Sequence, residues 1–246
     1  MSDFKPGEFA EYGDLIHLSD RYAVKPRADL FSLLPSRKFN SLLEVGCANG
    51  ANLKFFSEQL GIQPSQVVGV DVCQGEDRVD LDFQFFHSSL ENYLANSDRR
   101  FDLILMSDVL EHIYNPWRAL GALKSLLNPG GLLLVSVPNI ENLNYVLAVA
   151  TGKFAYTSTG LFDETHIRFF SLETLAMSLE QHGYQVVAAA FRPDQSLTSA
   201  RFSVEQILEN SAVAQLDLGA GISMTVDKEN VDRKFGQQVL ICASAL

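Results

Sequence analysis

The stretch "LLEVGCANGANL" (42–53) constrains the fold of this chain more than any other. An apolar run closes on an acid, passes glycines at 46 and 50, and enters a segment with Leu53, Phe56 and Leu60 on one face. That spacing predicts a strand, a tight turn and a helix. Gly46 and Gly50 permit the turn and a close approach of backbone to a ligand, and Ala48 is small enough not to block it.

The same rhythm repeats downstream. "SLLEV" (41–45), "VVGVD" (67–71), "FQFFHS" (83–88), "FDLILMS" (101–107) and "LLLVSVP" (132–138) read as five strands. Helices are predicted from Ala51 to a stop at Gly61 and from Pro116, the latter with Trp117, Leu120, Leu123 and Leu127 turned inward. "PGG" (129–131) makes the turn into the fifth strand. Ser171 is an N-cap for a helix carrying Leu172, Leu175 and Leu179, with Gly183 past its end. "YQVVAAAF" (184–191) predicts a sixth strand, "SVEQILENSAVAQL" (203–216) a helix, and "QQVLICAS" (237–244) a terminal strand. The expected fold is α/β: a Rossmann-like, seven-stranded, mostly parallel sheet with helices on both faces. Residues 1–40 are expected to form a helical cover and 41–246 the main domain, with 139–170 as an insertion after strand 5.

Composition narrows the partners. The 246 residues are 47% hydrophobic and 20% charged, suited to one sizeable globular domain. The formal charge is 19 − 30 = −11, which disfavours a nucleic-acid partner. The longest apolar run is too short to span a bilayer, and the N-terminus lacks the basic and apolar regions of a signal peptide. Cys47, Cys73 and Cys242 are far apart and form no CxxC pair, as expected of reduced thiols in a cytoplasmic protein.

Ligands of open α/β sheets bind at the carboxyl ends of the strands. A dinucleotide site needs G-x-G-x-x-G, whereas this turn is G-x-A-x-G behind Glu44. An acid there repels a pyrophosphate and suits a cationic ligand, while Asp71 ends strand 2 where ribose hydroxyls are held. A cation, a ribose and no diphosphate describe S-adenosylmethionine.

With these pieces in register, the chain resembles the class I S-adenosylmethionine-dependent methyltransferases over roughly residues 40–190. The matching segments are "LEVGCANG", "VVGVD", "FDLILMSDVLEH", "LLNPGGLLLVSVPN" and "DETHIRFFS". The resemblance implies that Glu44 sits near the methionine amino group and that Gly46 and Gly50 pass under the cofactor, with Cys47, Ala48, Asn49 and Asn52 beside them. It implies that Asp71 and Val72 meet the ribose, that Ser89 and Leu90 flank the adenine, and that Ser107 and Asp108 follow strand 4 into the site. The family more often has an acid where Ser89 stands.

The segment "TGKFAYTSTGLFDETHIRFFS" resembles a subgroup found with glycosyltransferases in cell-surface polysaccharide pathways. That implies a sugar or other small-molecule hydroxyl as acceptor and a glycosyltransferase as associate. The insertion must arch over the mouth of the site, so His166, then His112, are the expected bases, with Asp108 beside them. Arg168 is expected to bind an anionic acceptor group, and Tyr12, Tyr22 and Asn139 to line the acceptor side. The competing reading makes His166 a helix cap and pairs Arg168 with Asp163 or Glu164.

Two other functions compete. Asp108, Glu111 and His112 stand at i, i+3 and i+4, and with His166 they make a two-acid, two-histidine set able to hold a divalent cation. Small-RNA 3′-end 2′-O-methyltransferases are similar here. The acidic chain, and Asp163 and Glu164 where that family has a second histidine, weigh against it, and no metal is expected. The last alternative is a non-catalytic cofactor-binding partner protein, which no degraded motif favours.

Overall fold

A computed structural model describes residues 25–73, 82–219 and 221–246. Tyr12, Tyr22 and His17 lie outside the described residues. The strands are β1 (Leu42–Val45), β2 (Val67–Asp71), β3 (Gln84–His87), β4 (Phe101–Ser107), β5 (Leu127–Pro138), β6 (Tyr184–Pro193), β7 (Val213–Gly219), β8 (Ile222–Asp227) and β9 (Gly236–Ala245). The helices are α1 (Ala28–Phe31), α2 (Ala51–Leu60), α3 (Leu90–Asn96), α4 (Pro116–Ser125), α5 (Leu143–Ala150), α6 (Leu172–Gln181), α7 (Thr198–Asn210) and α8 (Val231–Phe235). None of the described helices is long and apolar enough to cross a membrane.

Seven strands form one sheet in the order β3-β2-β1-β4-β5-β9-β6, parallel except for β9, which runs antiparallel to both neighbours. Strands β1 and β2 are buried along their whole length, as a parallel sheet covered on both faces demands. Leu43 and Val45 face a core built with Leu120 and Leu123 of α4 and Leu175 and Leu179 of α6. Leu42 faces the opposite core, with Leu30 of α1 and Leu53 and Phe56 of α2. The order reverses between β1 and β4, and this switch point opens a crevice at the carboxyl edge. Glu44 stands in it, in register with Gly69 on one side and Leu105 on the other.

The expected seven-stranded sheet is present, with three local differences, while residues 1–24 of the expected helical cover lie outside the described residues. Trp117 is 43% exposed, not inward, and Leu127 belongs to β5, not to the helix before it. The segment 203–216 divides: α7 stops at Asn210, and 213–219 pairs antiparallel with β8 in a separate hairpin. Its alternation of exposed and covered residues is the period of a strand, and only pairing with β8 settles that choice over a helix. This hairpin packs with α7, α8 and Leu143 into a third small core.

Asn139 departs from its expected place on the acceptor side. It is fully buried, its Nδ2 donating to Arg233 O (2.7 Å) and Gly236 O (2.9 Å), while its Oδ1 accepts from Glu141 N. The amide therefore ties the end of β5 to the turn into β9. Replacement by alanine removes both donations, leaving Gly236 O its bond from Asn142 Nδ2, and is expected to cost about 1–3 kcal/mol, read as a lower urea midpoint. An unchanged midpoint would show that these bonds contribute nothing net.

Candidate active site

Why the chain turns sharply after β1 is visible in the backbone. Gly46 and Gly50 have φ of 74° and 84°, and Ala48 joins them at 44°. A Cβ on Gly46 would collide with the Val109 side chain, so the first glycine serves both conformation and space. Asn49 Oδ1 accepts from Ala51 N at the start of α2, and Cys47 is buried under the turn.

Asp71 closes the turn from the next strand. Its Oδ2 accepts from Ala48 N (2.7 Å) and its Oδ1 from Cys73 N (2.7 Å). Each oxygen keeps a lone pair, so the carboxylate can still accept from ligand hydroxyls. Val72 O meets His87 Nε2 at 2.7 Å. Ser89 is the N-cap of α3, its Oγ accepting from Asn92 N, and Leu90 is buried behind it. The Ser89 hydroxyl thus has a structural partner, in place of the family's usual acid.

Glu44 is 1% exposed. Its Oε1 accepts from Asn52 Nδ2 at 2.8 Å, while Oε2 has no hydrogen-bond partner. Burial pushes this carboxyl up to about 8, against the opposing pull of Asn52. A buried carboxyl with one unfilled oxygen is fitted by a ligand ammonium, and the closed, glycine-lined turn by a nucleoside. Asn52, expected at the cofactor, instead orients Glu44 and accepts from Arg27 N (2.9 Å).

Arg27 is the residue that the sequence reading missed. Its Nη1 donates to Ser107 Oγ (2.8 Å), Asp108 Oδ2 (2.8 Å) and Ser136 Oγ (3.0 Å), and its Nε and Nη2 clasp Asp29. Burial opposes the charge, yet Asp29 and Asp108 together hold the guanidinium above its ordinary range. One signal was available: Ser136 is a polar residue within an apolar strand and must find a partner.

Asp108 differs from its expected role. At φ 55° it precedes the short 3₁₀ turn Leu110–His112. Its Oδ1 accepts from Ser136 Oγ and Gln238 Nε2, so the carboxylate is occupied by Arg27, Ser136 and Gln238. Glu111, His112 and His166 come together without it: one ligating atom from each lies within 4.8 Å of the others. The insertion docks here through Ile167 N and Arg168 N, both donating to Glu111 O. His112 Nδ1 meets Thr165 O (3.2 Å) and Thr165 Oγ1 (3.0 Å), and the two imidazoles sit 4.9 Å apart. Burial lowers the pKa of both, and for His112 the neighbouring His166 adds to it.

Arg168 is committed elsewhere than expected. Its Nε and Nη2 donate to Tyr114 O, its Nη1 donates to Ile167 O, and its guanidinium lies over the rings of Tyr114 and Trp117. With three donors on main-chain carbonyls and its guanidinium over two rings, it fastens the insertion to the turn before α4.

Residues 16–189 match the Methyltransferase domain family. The chain belongs to this family. It is an S-adenosylmethionine-dependent methyltransferase, and the orphaned Glu44 oxygen fits that cofactor's ammonium. It is 27% identical over 197 residues to a ubiquinone biosynthesis O-methyltransferase of Dinoroseobacter shibae, 76% of each chain. It is 29% identical to the mitochondrial ubiquinone biosynthesis O-methyltransferase of Rattus norvegicus, over 61% of this chain and 45% of that one. The fold is shared with a SAM-dependent methyltransferase of Archaeoglobus fulgidus, with TM-score 0.58, 22% identity, and 95% and 100% of the two chains covered. These relatives carry names from ubiquinone biosynthesis, so the polysaccharide subgroup and the glycosyltransferase associate are not supported.

The raised Glu44 carboxyl gives a pH signature. Its native form keeps a proton that the unfolded chain has released, so its contribution to ligand-free stability is lost as pH rises towards about 8. A ligand ammonium reverses the preference. Binding of S-adenosylhomocysteine at about pH 7 is expected to release most of one proton, measured by calorimetry in buffers of different ionisation enthalpy. Release that persists in Glu44→Gln would assign the proton to another group.

Proposed function

We propose that this enzyme methylates a hydroxyl oxygen of a small-molecule acceptor, with His166 as the base. The observation that carries the reading is the imidazole pair, His166 and His112, 4.9 Å apart after the carboxyl end of β4, with the loop bearing His166 docked on Glu111 O. The names of the relatives support oxygen as the receiving atom.

The bound cofactor supplies an electrophilic methyl group on a sulfonium sulfur. The protein's contribution is alignment, worth ~7–11 kcal/mol in well-oriented pairs, and removal of the acceptor's proton. His166 Nδ1 faces Leu161 O at 3.4 Å, which favours a proton on Nδ1 and leaves Nε2 to accept. Burial keeps the ring neutral near pH 7, the form a base requires. Asp108, placed among the catalytic residues by its sequence position, acts in this reading by anchoring Arg27 and Gln238. Replacing His166 with alanine is expected to lower turnover about 10²-fold or more with cofactor affinity nearly intact, as steady-state rates and calorimetry will tell. Unchanged turnover removes His166 from the chemistry.

A second reading adds a divalent cation. Both oxygens of Glu111 are buried without a hydrogen-bond partner, and burial, then Asp108, raises its carboxyl well above the usual range. A cation held by Glu111, His112 and His166 would satisfy that carboxylate with the mixed oxygen and nitrogen donors that first-row metals accept. Metal analysis by mass spectrometry, before and after a chelator, separates the two. Stoichiometric metal whose removal abolishes turnover supports the cation; full turnover of metal-free enzyme leaves the histidine pair alone.

A further inference from the structure

A cavity of about 670 Å³ opens between the insertion and the end of β6, within the size range of small-molecule sites. Its walls are Lys25, Asn144 of α5, Leu161 and Phe162 of the insertion, the end of β6 from Arg192, and Gln237 of β9. Two links join it to the chemistry. Leu161 supplies the carbonyl that His166 Nδ1 faces. On the other side, Arg192 Nη1 donates to Gln238 Oε1 (3.2 Å), and Gln238 Nε2 donates to Asp108 Oδ1 (2.8 Å).

The charges in this cavity are arranged unequally. Asp194, its one acid, is buried, and both carboxylate oxygens are taken: Oδ1 by Ser196 N and Oγ, Oδ2 by Asn142 and Asn144 Nδ2. Asp29 makes a long ion pair with Arg192 Nε at 3.9 Å and is already clasped by Arg27. Lys25 makes no ion pair with any described residue, and Arg192 Nη2 makes no hydrogen bond with one. Two cations thus converge on one cavity in a chain whose formal charge is −11, a field that otherwise repels anions. The Phe162 ring, stacked on Tyr145 at 5.2 Å, supplies a flat apolar wall to the cavity.

We propose that this cavity is the acceptor subsite and that it selects a ring-bearing acceptor with a carboxylate or phosphate group, bound by Lys25 and Arg192. The assignment rests on the reading of this enzyme as a small-molecule O-methyltransferase, and it adds the acceptor's charge and the side chains that read it. Arg192 suits either anion because its guanidinium offers two parallel donors.

Calorimetry with S-adenosylhomocysteine saturating tests this with three probes: 3-hydroxybenzoate, 3-hydroxyphenyl phosphate and the uncharged 3-hydroxybenzamide. At least one anion is expected to bind about tenfold or more tighter than the amide, the gain from one charge-assisted bond, and the better anion identifies the group. In Lys25→Met/Arg192→Gln the ratio is expected to fall to near one, and in Arg192→Glu to favour the amide, with melting temperatures checking that each variant folds. Equal binding of all three probes, binding of none at millimolar concentration, or a ratio unchanged in the variants overturns the proposal. Mass spectrometry of methylated product runs in parallel. An anion preference without methyl transfer to any probe would sink the O-methylation reading and leave the anion site standing; transfer without charge preference would do the reverse.

Discussion

Two carboxyl groups buried short of partners, Glu44 and Glu111, set the terms for everything at the carboxyl edge of this sheet. A carboxylate removed from water without compensation is among the most costly features a fold can carry, and the usual relief is a proton. Both groups are accordingly raised, Glu44 to about 8 and Glu111 well above its usual range, chiefly by burial. The protein is thereby poised for cations: something positive placed against either acid favours its charged form.

Arg27 keeps this arrangement from collapsing. It brings the segment before α1 across the ends of β4 and β5 and neutralises Asp29 and Asp108 together. Its backbone amide reaches Asn52, which holds Glu44. One residue therefore connects the N-terminal segment, the cofactor turn and both central strands. Gln238 extends the same network to β9, the antiparallel strand that lets the chain's last segment reach the site.

The cofactor half was legible because each signal is local. Gly46 and Gly50 take up left-handed backbone, Asp71 ends a five-residue buried strand, and Glu44 sits where an acid has no structural purpose in a parallel sheet. The acceptor half was not. Arg168 and Asn139 have the chemistry of ligands, yet both donate to main-chain carbonyls, of Tyr114 and Gly236, far away in sequence. Asp108 reads as part of a helical triad with Glu111 and His112, but its positive φ turns it towards Arg27.

The sequence by itself determined the layered α/β sheet, the switch-point crevice and a turn shaped for a cationic nucleoside, because strand period, glycine freedom and strand-end acids act within a few residues of one another. Tertiary structure alone decided which polar side chains remain available. That depends on which carbonyls and carboxylates each donor meets, and here the meetings span separations of up to 130 positions, as between Asp108 and Gln238. The joining of His166 to Glu111, and of Lys25 to Arg192, belongs to that second kind of information.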